Sequence, residues 1–104
     1  MGNTIIRVST TSSPRLVAGA IAQSVRQQRC AEVQAIGAGA VNQMVKAVIV
    51  AGGYLEPEQI RPICLPTFVD VVVDGHTRTA VRLRIVAAER APVAGRIQPA
   101  HEPS

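Results

Sequence analysis

Residues 31–55 read AEVQAIGAGAVNQMVKAVIVAGGYL, and the fold follows from how this stretch divides. Glu32 to Ile36 is short and extended, and Gly37 to Ala40 turns the chain. Beyond the turn, apolar side chains recur at helical spacing: Val41, Met44, Val45, Val48 and Ile49 form the stripe expected to be buried. Gly52 and Gly53 are expected to end that helix. A similar unit precedes it. Thr4 to Ser9, TIIRVS, is β-branched and suits a strand, and TTSS follows as a polar connector. Ser13 before Pro14 is an N-cap followed by a first-turn proline, so a helix starts there. Val17, Ala20, Ile21 and Val25 share its inner face, while Arg15, Gln23, Arg26 and Gln27 lie toward water. It is expected to end near Arg29 or Cys30.

Two strands joined by helices of this length lie parallel, with both helices on one face of the sheet. A hairpin completes the chain. After the connector LEPEQIRP, Cys64 to Val73 is the third strand, with Pro66 near its start or at a bulge, and Thr77 to Val86 is the fourth. Asp74-Gly75 is the turn signal between them. A strict two-residue loop would set Val71 opposite Arg78 and turn Asp70 toward the core. An odd loop would instead bury Val69, Val71 and Val73 with Thr79, Val81, Leu83 and Ile85, leaving Asp70, Val72, Arg78, Arg82 and Arg84 outside. Burying a charge costs several kcal/mol, more than turn preference supplies, so the odd loop is expected. The predicted fold is therefore α+β, a two-layer βαβαββ sandwich with a four-stranded mixed sheet over residues 1–86. Residues 87–104, AAERAPVAGRIQPAHEPS, lack periodicity and read as a disordered tail.

Charge narrows the function. Ten arginines and the single Lys46 outweigh seven carboxylates, a formal net charge of +4 in 104 residues, which favours anionic partners. The guanidinium fork suits phosphate oxygens better than an ammonium does. No apolar run is long enough to span a membrane, and none near Met1 resembles a secretion signal, so a cytoplasmic location is expected. Cys30 and Cys64 have no second ligand at metal spacing and read as small apolar residues. His76 and His101 likewise lack partners, no nucleophile stands beside a base, and no carboxylate pair is evident. Neither an enzyme nor a cofactor or metal site is expected.

The polyanion-ready surface is the start of the second helix. Gly37 and Gly39 leave backbone amides there free of side chains, and Asn42, Gln43 and Lys46 share the exposed side of the helix. A solvated polar face would show the same pattern, so a protein-interaction module regulating development or division stands as the alternative.

SSPRLVAGAIA (12–22), the stretch 31–55 and CLPTFVDVVVDGHTRTAVRLRIV (64–86) resemble the stage V sporulation protein S family of bacteria. That family in turn is similar to the Alba chromatin proteins. The resemblance implies the Alba-like βαβαββ sandwich, a homodimer or higher homo-oligomer, and binding to DNA or RNA, which would allow nucleoid association within the cytoplasm. By position it implies contacts from Thr11, Ser12, Ser13 and Arg15 in the first loop and helix start, and from Gly37, Gly39, Asn42, Gln43 and Lys46. The hairpin arm would add His76, Arg78 and Arg82. The first loop here carries hydroxyls where Alba has a basic pair. With Asp70 and Asp74 beside the arm arginines, weak binding by the arm is expected.

Overall fold

The computed structural model describes residues 4–89. Strand β1 (Ile5–Val8) leads into helix α1 (Pro14–Gln28), followed by β2 (Cys30–Ala35) and α2 (Ala38–Leu55). A single 3-10 turn, Glu56–Glu58, then joins α2 to a long hairpin, β3 (Ile60–Val73) and β4 (His76–Glu89). The sheet order is β1-β2-β4-β3, with β1 and β2 parallel and the other pairs antiparallel. This is the α+β sandwich expected from the sequence. Strand β4 runs three residues past the expected end of the domain, and the rest of the proposed tail, including His101, lies outside the described residues.

Helix α1 starts where its sequence says it should. Ser13 is the N-cap, its hydroxyl accepting from the Leu16 N–H at 3.3 Å, and Pro14 takes the first helical position. Arg29 closes the helix in the left-handed region at φ 65°, its N–H donating to the Val25 carbonyl. The inner face is Ala18, Ile21, Ala22 and Val25. Ala20, expected inside, is exposed, because the buried stripe passes through Ala18 and Ala22.

Helix α2 departs further from expectation. Its fully buried residues are Met44, Ala47, Ala51 and Leu55, with Ala40 nearly so, while Val45 and Ile49 are 46% and 70% exposed. Val41 and Val48 are half-buried beside the core. Alanines therefore face the sheet and α1, and two β-branched residues face out. Small side chains at this seam let both helices lie close to the sheet, and the volume of the core comes from Ile21, Met44, Leu55 and Ile85. Gly52 and Gly53 do not end the helix, since Leu55 beyond them is buried and holds the last turn in place.

The hairpin corrects the charge argument. Val73 pairs with His76, Val71 with Arg78 and Asp70 with Thr79, so Asp74-Gly75 is the strict two-residue loop. Both turn residues have positive φ, 49° and 78°, as a type I′ turn requires. The odd loop was expected because Asp70 would otherwise point at a core. No core lies beneath it. Strand β2 pairs only with residues 81–86 of β4, so the distal hairpin projects as an arm. There Asp70 is exposed and accepts a hydrogen bond from the Thr79 hydroxyl at 3.3 Å. With no desolvation to oppose it, turn preference decides the register.

Pro62 and Pro66 are tolerated because β3 is an edge strand. Counting back from the closing pair Val73 and His76, hydrogen-bonded positions fall on odd-numbered β3 residues. Both prolines then turn their nitrogens to the free edge, where no ladder bond is lost. Cys64 packs against the core, and burial pushes its thiol pKa up, so it behaves as an apolar side chain at neutral pH.

Candidate nucleic-acid interface

Strands β1 and β2 both finish at the end of the sheet where α1 and α2 begin, so the first loop and the start of α2 are neighbours. Two contacts hold them together. The Gln43 side chain donates from Nε2 to the Ser12 carbonyl at 3.0 Å. The Thr10 methyl rests over Gly39, where an added Cβ would lie only 2.8 Å from Thr10 Cγ2. Gly39 is thus a close-approach glycine.

Within the first loop the hydroxyls are turned on one another. Ser9 N–H donates to Ser12 Oγ at 2.9 Å, Thr11 N–H donates to Ser9 Oγ at 3.3 Å, and Ser9 Oγ lies 3.1 Å from Thr11 Oγ1. Their work is to shape the loop. Ser13 is likewise committed to its cap. At the start of α2, Gly37 is the N-cap at φ 90° and makes no side-chain cap bond, and the first turn carries no acidic residue. The amides at exposed Ala38 and Gly39 therefore keep the partial positive charge of a helix start.

The remaining residues named from the sequence fall in three places. Arg15, Asn42, Lys46, His76 and Arg78 are exposed, on α1, α2 and the arm. Gln43 is half-buried and serves as the clasp between loop and helix. Arg82 alone among the twelve lines a groove of about 440 Å³ bounded by the ends of β1 and β2, the start of α2 and the arm. Sequence reading missed two other residues of this groove, Arg7 and Gln34. Arg7 was legible in part, since the alternation of Ile6, Arg7 and Val8 sets it on the face opposite the core. Nothing in the sequence signalled Gln34, which is only 5% exposed.

Electrostatically, the groove is one-sided. Among the described residues no carboxylate lines it. Arg82 donates from Nε and Nη2 to Gln34 Oε1, a neutral partner that leaves its charge uncancelled. Other arginines are spent elsewhere: Arg26 grips Glu58 at 2.8 Å and the Tyr54 carbonyl at the far end of the helices, and Arg84 pairs with Glu32 at 3.4 Å. The corrected register also moves Asp70 to the face opposite Arg78, Arg82 and Arg84, which sit with Val71, Thr67 and Leu65. The arm is therefore less neutralised on that face than the sequence suggested.

The seating of the first loop on α2 is testable. Gly39→Ala is expected to destabilise the chain by about 1 kcal/mol, because the added methyl meets Thr10. In a Thr10→Ser background, where that methyl is gone, the same change is expected to become neutral or stabilising by up to about 1 kcal/mol through helix propensity. Urea denaturation of the four proteins reads the change of sign.

A family model described as Stage V sporulation protein S (SpoVS) matches residues 4–88.

Proposed function

We propose, because this chain belongs to the stage V sporulation protein S family, that it is a non-enzymatic regulatory protein that binds DNA or RNA through phosphates with little base specificity. Family membership supports a sporulation-related role. The observation that carries the finer reading is the docking of the first loop onto the uncapped start of α2, beside a groove that contains Arg7 and Arg82 and, among the described residues, no carboxylate. Backbone amides and guanidinium groups hold phosphate oxygens but carry no base code. Among the described residues no aromatic ring lines the groove for stacking, so sequence-selective capture of single strands is not expected from it.

Anisotropy with labelled duplex DNA and duplex RNA over a salt series tests this. Four to six neutralised phosphates give a log-log slope of roughly −3.6 to −5.4 for DNA. Lys46→Ala and Arg15→Ala are each expected to weaken binding across sequences and to flatten the slope by about 1. Binding absent at low salt, or a sharp sequence preference, overturns the reading.

In this proposal the working unit is a homodimer. Ile49 on α2 and Phe68 on β3 are 70% and 79% exposed, an apolar exposure that supports a covering partner. The same residues favour the second reading, a protein-interaction module for development or division, should nucleic acid fail to bind. Light scattering of the wild type and of Phe68→Asp separates self-association from a hetero-partner.

A further inference from the structure

Four strands align one residue each into a single row on the sheet face away from the helices. Arg7 pairs with Gln34, Gln34 with Arg82, and Arg82 with Thr67. Strands lie about 4.8 Å apart, so the backbones carrying Arg7 and Arg82 are about 10 Å apart with Gln34 between them. Two long guanidinium stems at that spacing reach one tetrahedral anion placed over Gln34. The row contains no carboxylate, and the nearest acid, Glu32 in the next row, is held by Arg84.

Gln34 supplies the second, independent observation. It is the one polar side chain buried among the described residues, yet only half of its carboxamide is used. Its Oε1 accepts both donors from Arg82, which leaves Nε2 on the other arm of the amide, and no acceptor among the described residues takes its N–H groups. A buried donor without a protein acceptor costs stability unless water or a ligand supplies one, and Gln34 lines the groove from which either would come. Around it, Ile36, Val71 and Val73 form an aliphatic wall. At about 440 Å³ the groove falls in the size range of small-ligand sites, roughly 300–1,000 Å³.

We propose that Arg7, Gln34 and Arg82 form a phosphate pocket for one nucleotide unit. The two arginines clamp the phosphate, the Gln34 amide donates to one of its oxygens, and the aliphatic wall packs against the adjoining sugar, so no base is read. This rests on the nucleic-acid reading and deepens it by naming the anchor. The same chemistry is offered by a phosphate within a polymer and by a free mononucleotide, and the test distinguishes them.

Full-length protein is titrated with AMP, adenosine and inorganic phosphate by NMR, and with a labelled short duplex by anisotropy. Gln34→Glu and Arg7→Gln are the variants. The first turns the neutral acceptor of Arg82 into an ion-pair partner and fills the pocket with negative charge; the second changes an exposed residue and keeps the fold. AMP is expected to shift the Arg7, Gln34 and Arg82 side-chain resonances, and adenosine is not. Both variants are expected to weaken AMP and duplex about ten- to hundredfold, the loss of hydrogen bonds to a charged group. Duplex binding unchanged in both variants overturns the pocket and spares the nucleic-acid reading. AMP binding at the pocket without duplex binding keeps the pocket and overturns that reading. Absence of all binding overturns both.

Discussion

Leu55→Ala is expected to destabilise the protein by about 2–5 kcal/mol, whereas Val45→Ala, ten residues earlier on the same helix, is expected to change stability by no more than about 0.5 kcal/mol. Leu55 is fully buried among the largest core side chains, so truncation removes its transfer energy and leaves a cavity that the surrounding sheet and helix cannot close. It also removes the anchor that carries α2 through Gly52 and Gly53, so the last helical turn frays along with the cavity. Val45 is nearly half exposed, and alanine is the better helix former. Chemical denaturation at matched m-values checks the pair. Were Val45→Ala the costlier change, the bulky stripe read from the sequence would be the buried one and the observed orientation of α2 would be wrong.

Ala47→Leu is expected to cost about 1–3 kcal/mol or more, the opposite error of adding volume where none is available. Ala47 has no exposure at all and belongs to the alanine seam of Ala18, Ala22, Ala40 and Ala51. Added carbons there must push α2 off the sheet, which also displaces its first turn from Thr10 and Ser12. Under the proposed nucleic-acid reading, affinity for duplex is thus expected to fall along with stability, although Ala47 does not line the groove. Val45→Leu, with the same side chain placed two residues earlier on the exposed side, is the control expected to leave both properties near wild type. A well-folded Ala47→Leu protein with an unchanged denaturation midpoint would show the seam to be loosely packed.

These two tests bracket what sequence periodicity can and cannot say. Apolar residues recurring at helical spacing identify α2, yet Val45 and Ile49 belong to an apolar arc too wide to reveal its own centre. Hydrophobicity ranks valine and isoleucine above alanine for burial, but at a seam between helices and sheet the deciding quantity is volume. The hairpin teaches a related lesson. Its turn was legible in Asp74-Gly75, and the register was misread by assigning Asp70 a burial cost. That cost depends on what lies beneath the strand, and β2 is too short to extend the core that far.

The candidate site divides in the same way. The first loop and the start of α2 were legible because glycines, hydroxyls and a capping serine carry local backbone meanings. Gln43 was expected to face a ligand and instead ties Ser12 to α2, since its partner lies 31 residues away in the chain.

From the chain alone came the order of strands and helices, the cap at Ser13, the turn at Asp74-Gly75 and a basic balance suited to anions, because each depends on near neighbours or on composition. Tertiary structure alone decided which side of α2 is buried, that Asp70 stays in water, and that Arg7, Gln34 and Arg82 share one row. Those three residues come from strands far apart in sequence, and only the order β1-β2-β4-β3 sets Arg7 and Arg82 a strand's width to either side of Gln34. Spacing along a chain says nothing about that distance; hydrogen bonding between strands creates it.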